Sequence, residues 1–190
     1  SAPRAKVISQ EKNPLEAKVQ TLIKAYRDYG HTAADLDPLG IAEKVIHSDL
    51  HQTEGLFNAD ELSNTVNCNF PIGSSVEYEL SDLIDRLKTT YCKNIGIEFQ
   101  HISNKRERNW IIEKFENSNH KVSDAERKKE ILKRLISARG LAQFLSSKYP
   151  GMKRFGIDGC ESLIPLVDAL IKTTSKNGAG QICFGMAHRG

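Results

Sequence analysis

The sequence lacks several features that would assign it to a specialised class of protein. No apolar stretch approaches the roughly 18 residues that a membrane-spanning helix needs, so we expect no membrane insertion. The four cysteines form no C-x-x-C pair and have no histidine spacing suited to zinc, which indicates reduced thiols rather than a metal site. The net charge is +3, but basic residues alternate with acidic ones. That pattern is typical of solvated helix faces and disfavours a nucleic-acid interface.

The phosphate-binding and nucleophile motifs of common enzyme folds are missing as well. The sequence has no G-x-G-x-x-G, no Walker sequence and no G-x-S-x-G elbow. Its composition is that of an ordinary globular protein, with 39% hydrophobic and 27% charged residues in 190, which is long enough to bury a real core. Residues 1–13 are polar and patternless and lack a secretory signal, so we expect a mobile leader there.

Apolar residues at helical spacing dominate the chain after this leader. An apolar stripe behind a proline predicts a helix over 14–29, and Gly30 is expected to end it in the left-handed conformation. A second helix is predicted from an N-cap at Ser81 to about Tyr91. The intervening segment 40–78 has little periodicity, and we expect short helical turns and loops in it.

The second half of the chain is also predicted to be helical. Trp110 falls on an apolar stripe and is a core candidate. Ser123 and Glu126 have the spacing of a capping box, which would open either a pair of helices or one helix kinked near Gly140. A last amphipathic helix follows, and residues 177–178 are predicted to close it.

The C-terminal residues predict a strand. The run ICFGM at 182–186 follows a helix and a tight turn and is nearly continuous in apolar side chains, which is typical of a strand buried in a parallel sheet. No convincing parallel partner precedes it, and a lone central strand would leave backbone groups unpaired. We therefore expect the chain to be a piece of a longer protein that ends where an α/β domain begins.

His188 and Arg189 follow the predicted strand, where ligands gather in open α/β sheets. An arginine there can hold a carboxylate or phosphate with its two-pronged guanidinium, and a histidine can donate a hydrogen bond or move a proton near neutral pH. The alternative is a polar strand end with two solvated side chains, and spacing alone leaves both open.

Two other polar groups favour structural interpretations. His31, Asp35 and Asp37 could bind a metal, but aspartates around a proline turn commonly accept hydrogen bonds from their own backbone. Glu98 and His101 lie in a possible short strand, where a satisfied buried pair is favoured over catalysis.

Four segments together resemble a known enzyme family. They are AYRDYGHTAADLDPLG, IGIEFQHISNKRERNWIIEKFE, KRFGIDGCESLIPLVDALI and FGMAHRG. Their order and spacing, from about Leu15 to Gly190, resemble the N-terminal part of the thiamine-diphosphate-dependent decarboxylating component of 2-oxoglutarate dehydrogenase complexes. One departure is Ile157, Asp158 and Gly159 where the family commonly has Leu-Glu-Gly, and it leaves a carboxylate in place.

The resemblance implies a fold and a domain organisation. The fragment is expected to be mainly α, ending in the first strand of a truncated α/β thiamine-diphosphate-binding domain. Its expected parts are a leader over 1–13, a helical region over 14–150 and the start of the α/β domain over 151–190. The parent enzyme is expected to be a homodimer.

The resemblance also implies an activity. The parent enzyme, an oxidoreductase of the tricarboxylic acid cycle, would use thiamine diphosphate and Mg²⁺ to decarboxylate 2-oxoglutarate. It would pass the succinyl group to lipoyl groups of the succinyltransferase core, alongside the flavoprotein dihydrolipoyl dehydrogenase. Neither nucleic acid nor membrane is an expected partner. A bacterial cytoplasmic location is favoured, with the mitochondrial matrix as the alternative.

Family motifs place few site residues in this chain. The resemblance implies that His188 is catalytic and contacts substrate by hydrogen bonding and charge stabilisation, and that Arg189 is a second substrate-binding residue. Residues that bind the cofactor and the metal are expected beyond Gly190, so the fragment alone should be inactive. Two alternatives stay open: a non-catalytic docking module for the complex core, and the relative specific for 2-oxoadipate, whose substrate differs by one methylene.

Overall fold

The computed structural model describes residues 13–118, 124–154 and 156–185. The fold is mainly helical, as predicted. Six α-helices and two strands in these ranges follow one another as α1 (Pro14–Tyr29), α2 (Ser48–Glu54), β1 (Thr65–Cys68), β2 (Val76–Glu79), α3 (Leu80–Tyr91), α4 (Lys105–Glu116), α5 (Ala125–Lys148) and α6 (Leu163–Lys176). Short 3₁₀ turns lie at Gly30–Ala33 and Ala59–Glu61. The chain divides into two compact units, a first unit of Ser1–Lys121 and a second unit of Val122–Gly190.

Helix α1 spans Pro14–Tyr29, so the predicted helix over 14–29 is confirmed. The side chain of Asn13 caps it by accepting a hydrogen bond from the backbone N–H of Leu15 at 3.1 Å. The apolar stripe of the helix is buried and contacts α2, α3 and the hairpin. This helix is therefore the centre of the core of the first unit.

Gly30 does not end helix α1 in the left-handed conformation, and that prediction is wrong. Its φ and ψ are −56° and −31°, which are right-handed values, and it begins the 3₁₀ turn Gly30–Ala33. A Cβ atom at this position would lie 2.6 Å from the Cβ of Tyr91. Glycine is needed here because helix α3 approaches the backbone closely, not because the turn requires a positive φ.

A small β-hairpin lies in the segment predicted to be turns and loops. Strands β1 and β2 pair antiparallel, with Val66 opposite Tyr78 and Cys68 opposite Val76. Val66 and Cys68 are buried while their neighbours are exposed, so one face of β1 packs on the core. The alternation of apolar and polar residues in these two strands is the signal that the prediction missed.

Helix α3 ends at Tyr91 as predicted, but it begins at Leu80 rather than behind an N-cap at Ser81. The backbone N–H groups of Leu80 and Ser81 donate to the carbonyls of Asn64 and Leu62, both at 3.0 Å. Tertiary contacts thus satisfy the first turn, and no side-chain cap is needed.

The second unit contains two helices in its described residues. Helix α5 is one continuous helix of 24 residues through Gly140, where a helix pair or a kink was expected. Asp124 caps it by accepting from the backbone N–H of Arg127 at 2.8 Å, and the predicted cap Ser123 lies outside the described residues. Helix α6 ends at Lys176 with Asn177 as its C-cap, and Gly178 follows with φ of 91°, so residues 177–178 close the helix as predicted.

The predicted C-terminal strand is not paired in the described part of the chain. Residues 179–185 have no strand partner among the described residues, and Met186, the end of the predicted run, lies outside them. A strand is stabilised by backbone hydrogen bonds to a neighbouring strand, and the described chain offers no parallel neighbour. The α/β domain expected over 151–190 stays a prediction. None of the described helices is long and apolar enough to cross a membrane.

Candidate functional site

The two residues predicted to carry chemistry, His188 and Arg189, lie outside the described residues. Their roles as catalytic and substrate-binding residues therefore stay predictions.

Asp37 organises a turn. Its carboxylate accepts hydrogen bonds from the backbone N–H groups of Leu39 at 3.0 Å and of Ile41 and Ala42 at 2.6 Å. These bonds, that from Ala42 foremost, lower the pKa of the carboxyl group. Among the described residues no cluster of three or more potential ligands could hold a metal ion. The turn interpretation of Asp37 is confirmed by these backbone hydrogen bonds.

Other predictions about single side chains are corrected. Glu98 and His101 are both exposed, so they do not form the buried pair favoured by the sequence. Trp110 is 58% exposed rather than in the core, and the ammonium of Lys114 lies 5.9 Å from the centroid of its ring. The apolar stripe of a helix does not show which of its residues other elements cover, and Trp110 is one that they leave exposed.

The first unit contains a buried polar cluster that the sequence did not reveal. The carboxylate of Glu116 accepts from Arg27 Nε at 2.7 Å, from Arg27 Nη2 at 3.0 Å and from the hydroxyl of Tyr91 at 2.6 Å. The backbone N–H of Ile72 donates to it as well, and Arg27 Nη2 also donates to the carbonyl of Asn69 at 2.9 Å. We call these groups the Glu116 cluster. It joins helices α1, α3 and α4 to the loop after β1.

The electrostatics of the Glu116 cluster favour a structural role. Burial raises the pKa of the Tyr91 hydroxyl, and the charge of Glu116 and the hydrogen bond to it add to the rise. Burial alone would lower the pKa of Arg27, but the hydrogen bond to Glu116 and its charge raise it. The carboxylate accepts four hydrogen bonds, which is its full capacity. It has no lone pair left for a substrate, so the cluster holds the fold.

An open cleft lies on the first unit between α2, the 3₁₀ turn Gly30–Ala33 and the C-terminal end of α3. Its volume is about 390 Å³. Apolar residues form its floor, and Lys88, Lys93 and His51 stand at its exposed rim. We call it the lysine cleft. It has an apolar base and a few polar groups at its rim.

The second unit exposes its apolar side chains. No residue in its described parts, 124–154 and 156–185, is buried. Ile136, Phe144 and Leu170 are 62%, 59% and 48% exposed, on helices whose periodicity predicts a buried stripe. Exposed apolar faces of this extent mark surfaces that pack against other protein.

Comparison with known proteins finds relatives that share one name. The 2-oxoglutarate dehydrogenase E1 component of Azotobacter vinelandii is 41% identical over 185 residues, which are 96% of this chain and 20% of that protein. The proteins of the same name in Brucella anthropi and Brucella abortus are 43% and 42% identical over 172 residues, 89% of this chain and 17% of theirs. No protein-family model matches the chain.

These similarities confirm the resemblance drawn from the four sequence segments. The chain is homologous to an N-terminal fragment of proteins named 2-oxoglutarate dehydrogenase E1 component. It spans about a fifth of the length of the curated relatives it matches.

Proposed function

We propose that this chain is the N-terminal helical portion of an oxoglutarate-decarboxylating enzyme, and that the rest of the parent protein completes the catalytic site. The observation that carries the proposal is the similarity to the protein named 2-oxoglutarate dehydrogenase E1 component in Azotobacter vinelandii, which is 41% identical over 96% of this chain. Identity over nearly the whole chain, rather than in one motif, supports a common origin of both units. The bacterial origin of the relatives supports a location in the bacterial cytoplasm.

The proposed reaction is the decarboxylation of 2-oxoglutarate and transfer of the succinyl group to lipoyl groups of a succinyltransferase core. Bound thiamine diphosphate, with Mg²⁺, would supply the carbanion chemistry. The described residues form no cluster suited to the metal, so we assign none of them to the cofactor. From this chain we propose His188 as a hydrogen-bond donor to the 2-oxo acid and Arg189 as a partner for its carboxylate.

The described residues are proposed to act as a scaffold. In the first unit the Glu116 cluster fixes three helices relative to one another. In the second unit the exposed apolar faces of α5 and α6 are proposed to pack against other parts of the parent protein. This arrangement would place the residues after α6 against the catalytic domain.

The structure argues against the alternative of a docking module built on α1. Val19, Leu22 and Tyr26 are fully buried within the first unit, so the apolar face of this helix is not available to a partner. A docking role for residues 1–13 is a separate hypothesis, which a pull-down of the succinyltransferase core with those residues would test. Preference for 2-oxoadipate is disfavoured by the name of the relatives.

The proposal is tested on the parent protein isolated from its source with an antibody against residues 80–150. We expect an intact mass several times that of this chain, together with 2-oxoglutarate-dependent release of CO₂ in the presence of thiamine diphosphate and Mg²⁺. His188→Gln should lower kcat/KM by about a hundredfold or more, as loss of a group that stabilises developing charge does. Lys129→Gln, at an exposed position of α5, is the control and should leave kcat/KM unchanged.

Two outcomes would contradict the proposal. One is a natural protein of this length with no decarboxylase activity. The other is a His188→Gln enzyme that folds, binds cofactor and turns over like the wild type, which would remove His188 from the site while leaving the family assignment in place.

A further inference from the structure

The loop between the 3₁₀ turn Gly30–Ala33 and helix α2 exposes its apolar side chains. We call residues 35–46 the apolar loop. Surface loops are ordinarily polar, and an aliphatic side chain that stands alone on a surface needs no explanation. Here four of them lie between positions 36 and 45 of one loop and form a patch. Their exposed fractions are 58% for Leu36, 77% for Leu39, 81% for Ile41 and 76% for Val45.

Hydrogen bonds within the apolar loop hold it in one conformation. The carboxylate of Asp37 accepts from the backbone N–H groups of Leu39, Ile41 and Ala42. Gly40 has a φ of 64°, in the left-handed region that glycine adopts without strain. The carboxylate of the loop is therefore used by its own backbone, while the aliphatic side chains are left in solvent.

Both ends of the apolar loop are fixed to the first unit. The N–H of Asp35 donates to the backbone carbonyl of Lys93 at 2.9 Å. At the other end Ile46 packs against the core, and the N–H of His47 donates to the hydroxyl of Thr32 at 3.1 Å. Because the loop is already ordered, little conformational freedom remains to be lost when a partner covers it.

Charge does not recommend an ionic partner for the apolar loop. The charged side chains between Ile41 and Val45 are those of Glu43 and Lys44, which are both exposed and opposite in sign. They give this part of the loop no net charge. A surface that covers it is therefore recognised by apolar contact and not by electrostatic attraction.

The patch is too small to hold two separate proteins together. Full burial of a Val, Leu or Ile side chain removes roughly 60 to 120 Å² from water, so four contribute at most about 500 Å². A stable interface between separate proteins buries about 800 Å² on each. A covalently connected part of the same protein does not pay the full cost of association. The chain spans about a fifth of the length of its curated relatives, so most of the parent protein lies outside it.

We propose that the apolar loop docks into an apolar groove on the part of the parent protein that follows Gly190, with Leu39 and Ile41 at the centre of the contact. The inference rests on the proposed function only because it requires the longer parent protein. It adds a contact of the first unit to the one proposed for α5 and α6 in the second.

Cysteine labelling of the parent enzyme tests this contact. Ile41→Cys places a thiol at a position that is 81% exposed in this chain, and Asp60→Cys is the control at an exposed polar position of the first unit. Each enzyme is treated with N-ethylmaleimide in native buffer and in urea, and modification of the relevant peptide is followed by mass spectrometry. The ratio of the two rates measures how far the thiol is protected.

We expect the thiol at position 41 to be protected at least about tenfold in the parent enzyme, because only the undocked loop reacts, and the thiol at position 60 less than about twofold. In this chain alone the two positions should react alike, with urea unfolding followed by Trp110 fluorescence to show that the first unit is folded.

Two further changes test the chemistry of the contact. Leu39→Gln should reduce the protection of position 41 several-fold, because it brings an amide into an apolar groove, whereas Lys44→Gln should leave it unchanged. Protection should persist from about 0.1 to 1 M sodium chloride, because salt screens charges and not apolar contacts.

Four results would overturn the proposal. One is equal labelling of positions 41 and 60 in the parent enzyme. The others are protection that appears only when the succinyltransferase core is added, protection of this chain alone that grows with its concentration, and protection that high salt abolishes. Decarboxylation is measured on the same enzyme: an active enzyme with a reactive loop refutes the docking alone, and an inactive one with a protected loop refutes the proposed reaction alone.

Discussion

Arg27 and Glu116 lie 89 positions apart in the sequence and form a two-pronged ion pair, with Nε 2.7 Å from Oε1 and Nη2 3.0 Å from Oε2. Their side chains are 14% and 0% exposed. Each charge is therefore shielded from water and depends on the other for its solvation. Removing one partner of such a pair is far more costly than removing a surface ion pair.

Glu116→Gln should lower the free energy of unfolding of the first unit by about 3 to 5 kcal/mol, because it leaves the guanidinium of Arg27 buried without its counter-charge. Urea unfolding followed by the fluorescence of Trp110, which lies in the first unit, measures the change. Lys24→Gln is the control, since Lys24 is 76% exposed in its pair with Asp28, and it should cost less than about 1 kcal/mol. If the two substitutions lowered the free energy of unfolding equally, burial would not make the Arg27–Glu116 pair more important than a surface pair.

Tyr91 should make the first unit sensitive to alkali. Burial and Glu116 raise the pKa of its hydroxyl above the value of about 10 for an exposed tyrosine. Above about pH 10 the unfolded chain loses this proton while the folded chain keeps it, so stability that is present below that pH is lost as pH rises.

Tyr91→Phe tests this by removing the titrating group. We expect it to cost about 1 kcal/mol at neutral pH through the lost hydrogen bond, and to flatten the decline of the urea midpoint above about pH 10. Tyr149→Phe, at a half-exposed position of the second unit, should leave the decline as it is. A decline of the same steepness in all three proteins would contradict the assignment to Tyr91.

Asp37 should control the order of the loop that follows it. Asp37→Asn weakens the acceptor of the N–H groups of Leu39, Ile41 and Ala42, so hydrogen exchange of these amides should accelerate several-fold. The pKa of Asp37 is lowered in the folded chain, so its contribution is present above the unfolded pKa and is lost as pH falls through the folded one. Asp60→Asn, at an exposed position, should leave the exchange of these amides unchanged.

Local signals in the sequence predicted where the helices lie better than they predicted which residues of those helices are buried. The start of α1 at Pro14 and the close of α6 at its cap Asn177 follow from proline, glycine and periodicity, all of which act within one or two turns. The burial of Glu116 has no local signal, because a carboxylate in a charged helix is indistinguishable from a solvated one until Arg27 is brought to it. The periodicity of α5 correctly predicted a helix, but it could not show that its apolar stripe is exposed in this chain.

Gly30→Ala should destabilise the first unit by about 1 to 3 kcal/mol, since overpacking forces neighbouring groups to shift. The added Cβ would lie 2.6 Å from the Cβ of Tyr91, on a helix that the Glu116 cluster holds in place. Gly55→Ala is the control in the same unit, because its Cβ would make an ordinary contact of 3.6 Å with the carbonyl of Gln52. If both variants had urea midpoints close to that of the wild type, α3 would be able to move away from the added Cβ.

The two units should unfold separately in the isolated chain. The first has a buried core, whereas the described parts of the second have no buried residue. The ion pair of Arg134 with Asp168 in the second unit is 49% and 30% exposed, so it adds little stability.

Trp110, the single tryptophan, reports on the first unit, while circular dichroism reports on the helices of both. We therefore expect part of the helical signal, that of α5 and α6, to be lost at lower urea than the fluorescence transition. Leu22→Ala should shift the fluorescence midpoint and Leu166→Ala should not, because Leu22 is fully buried and Leu166 is 60% exposed. In the parent enzyme the apolar faces of α5 and α6 are proposed to be covered, so the second unit should unfold there at higher urea than in the isolated chain. Coincident transitions in the isolated chain would mean that the second unit is stable without that cover.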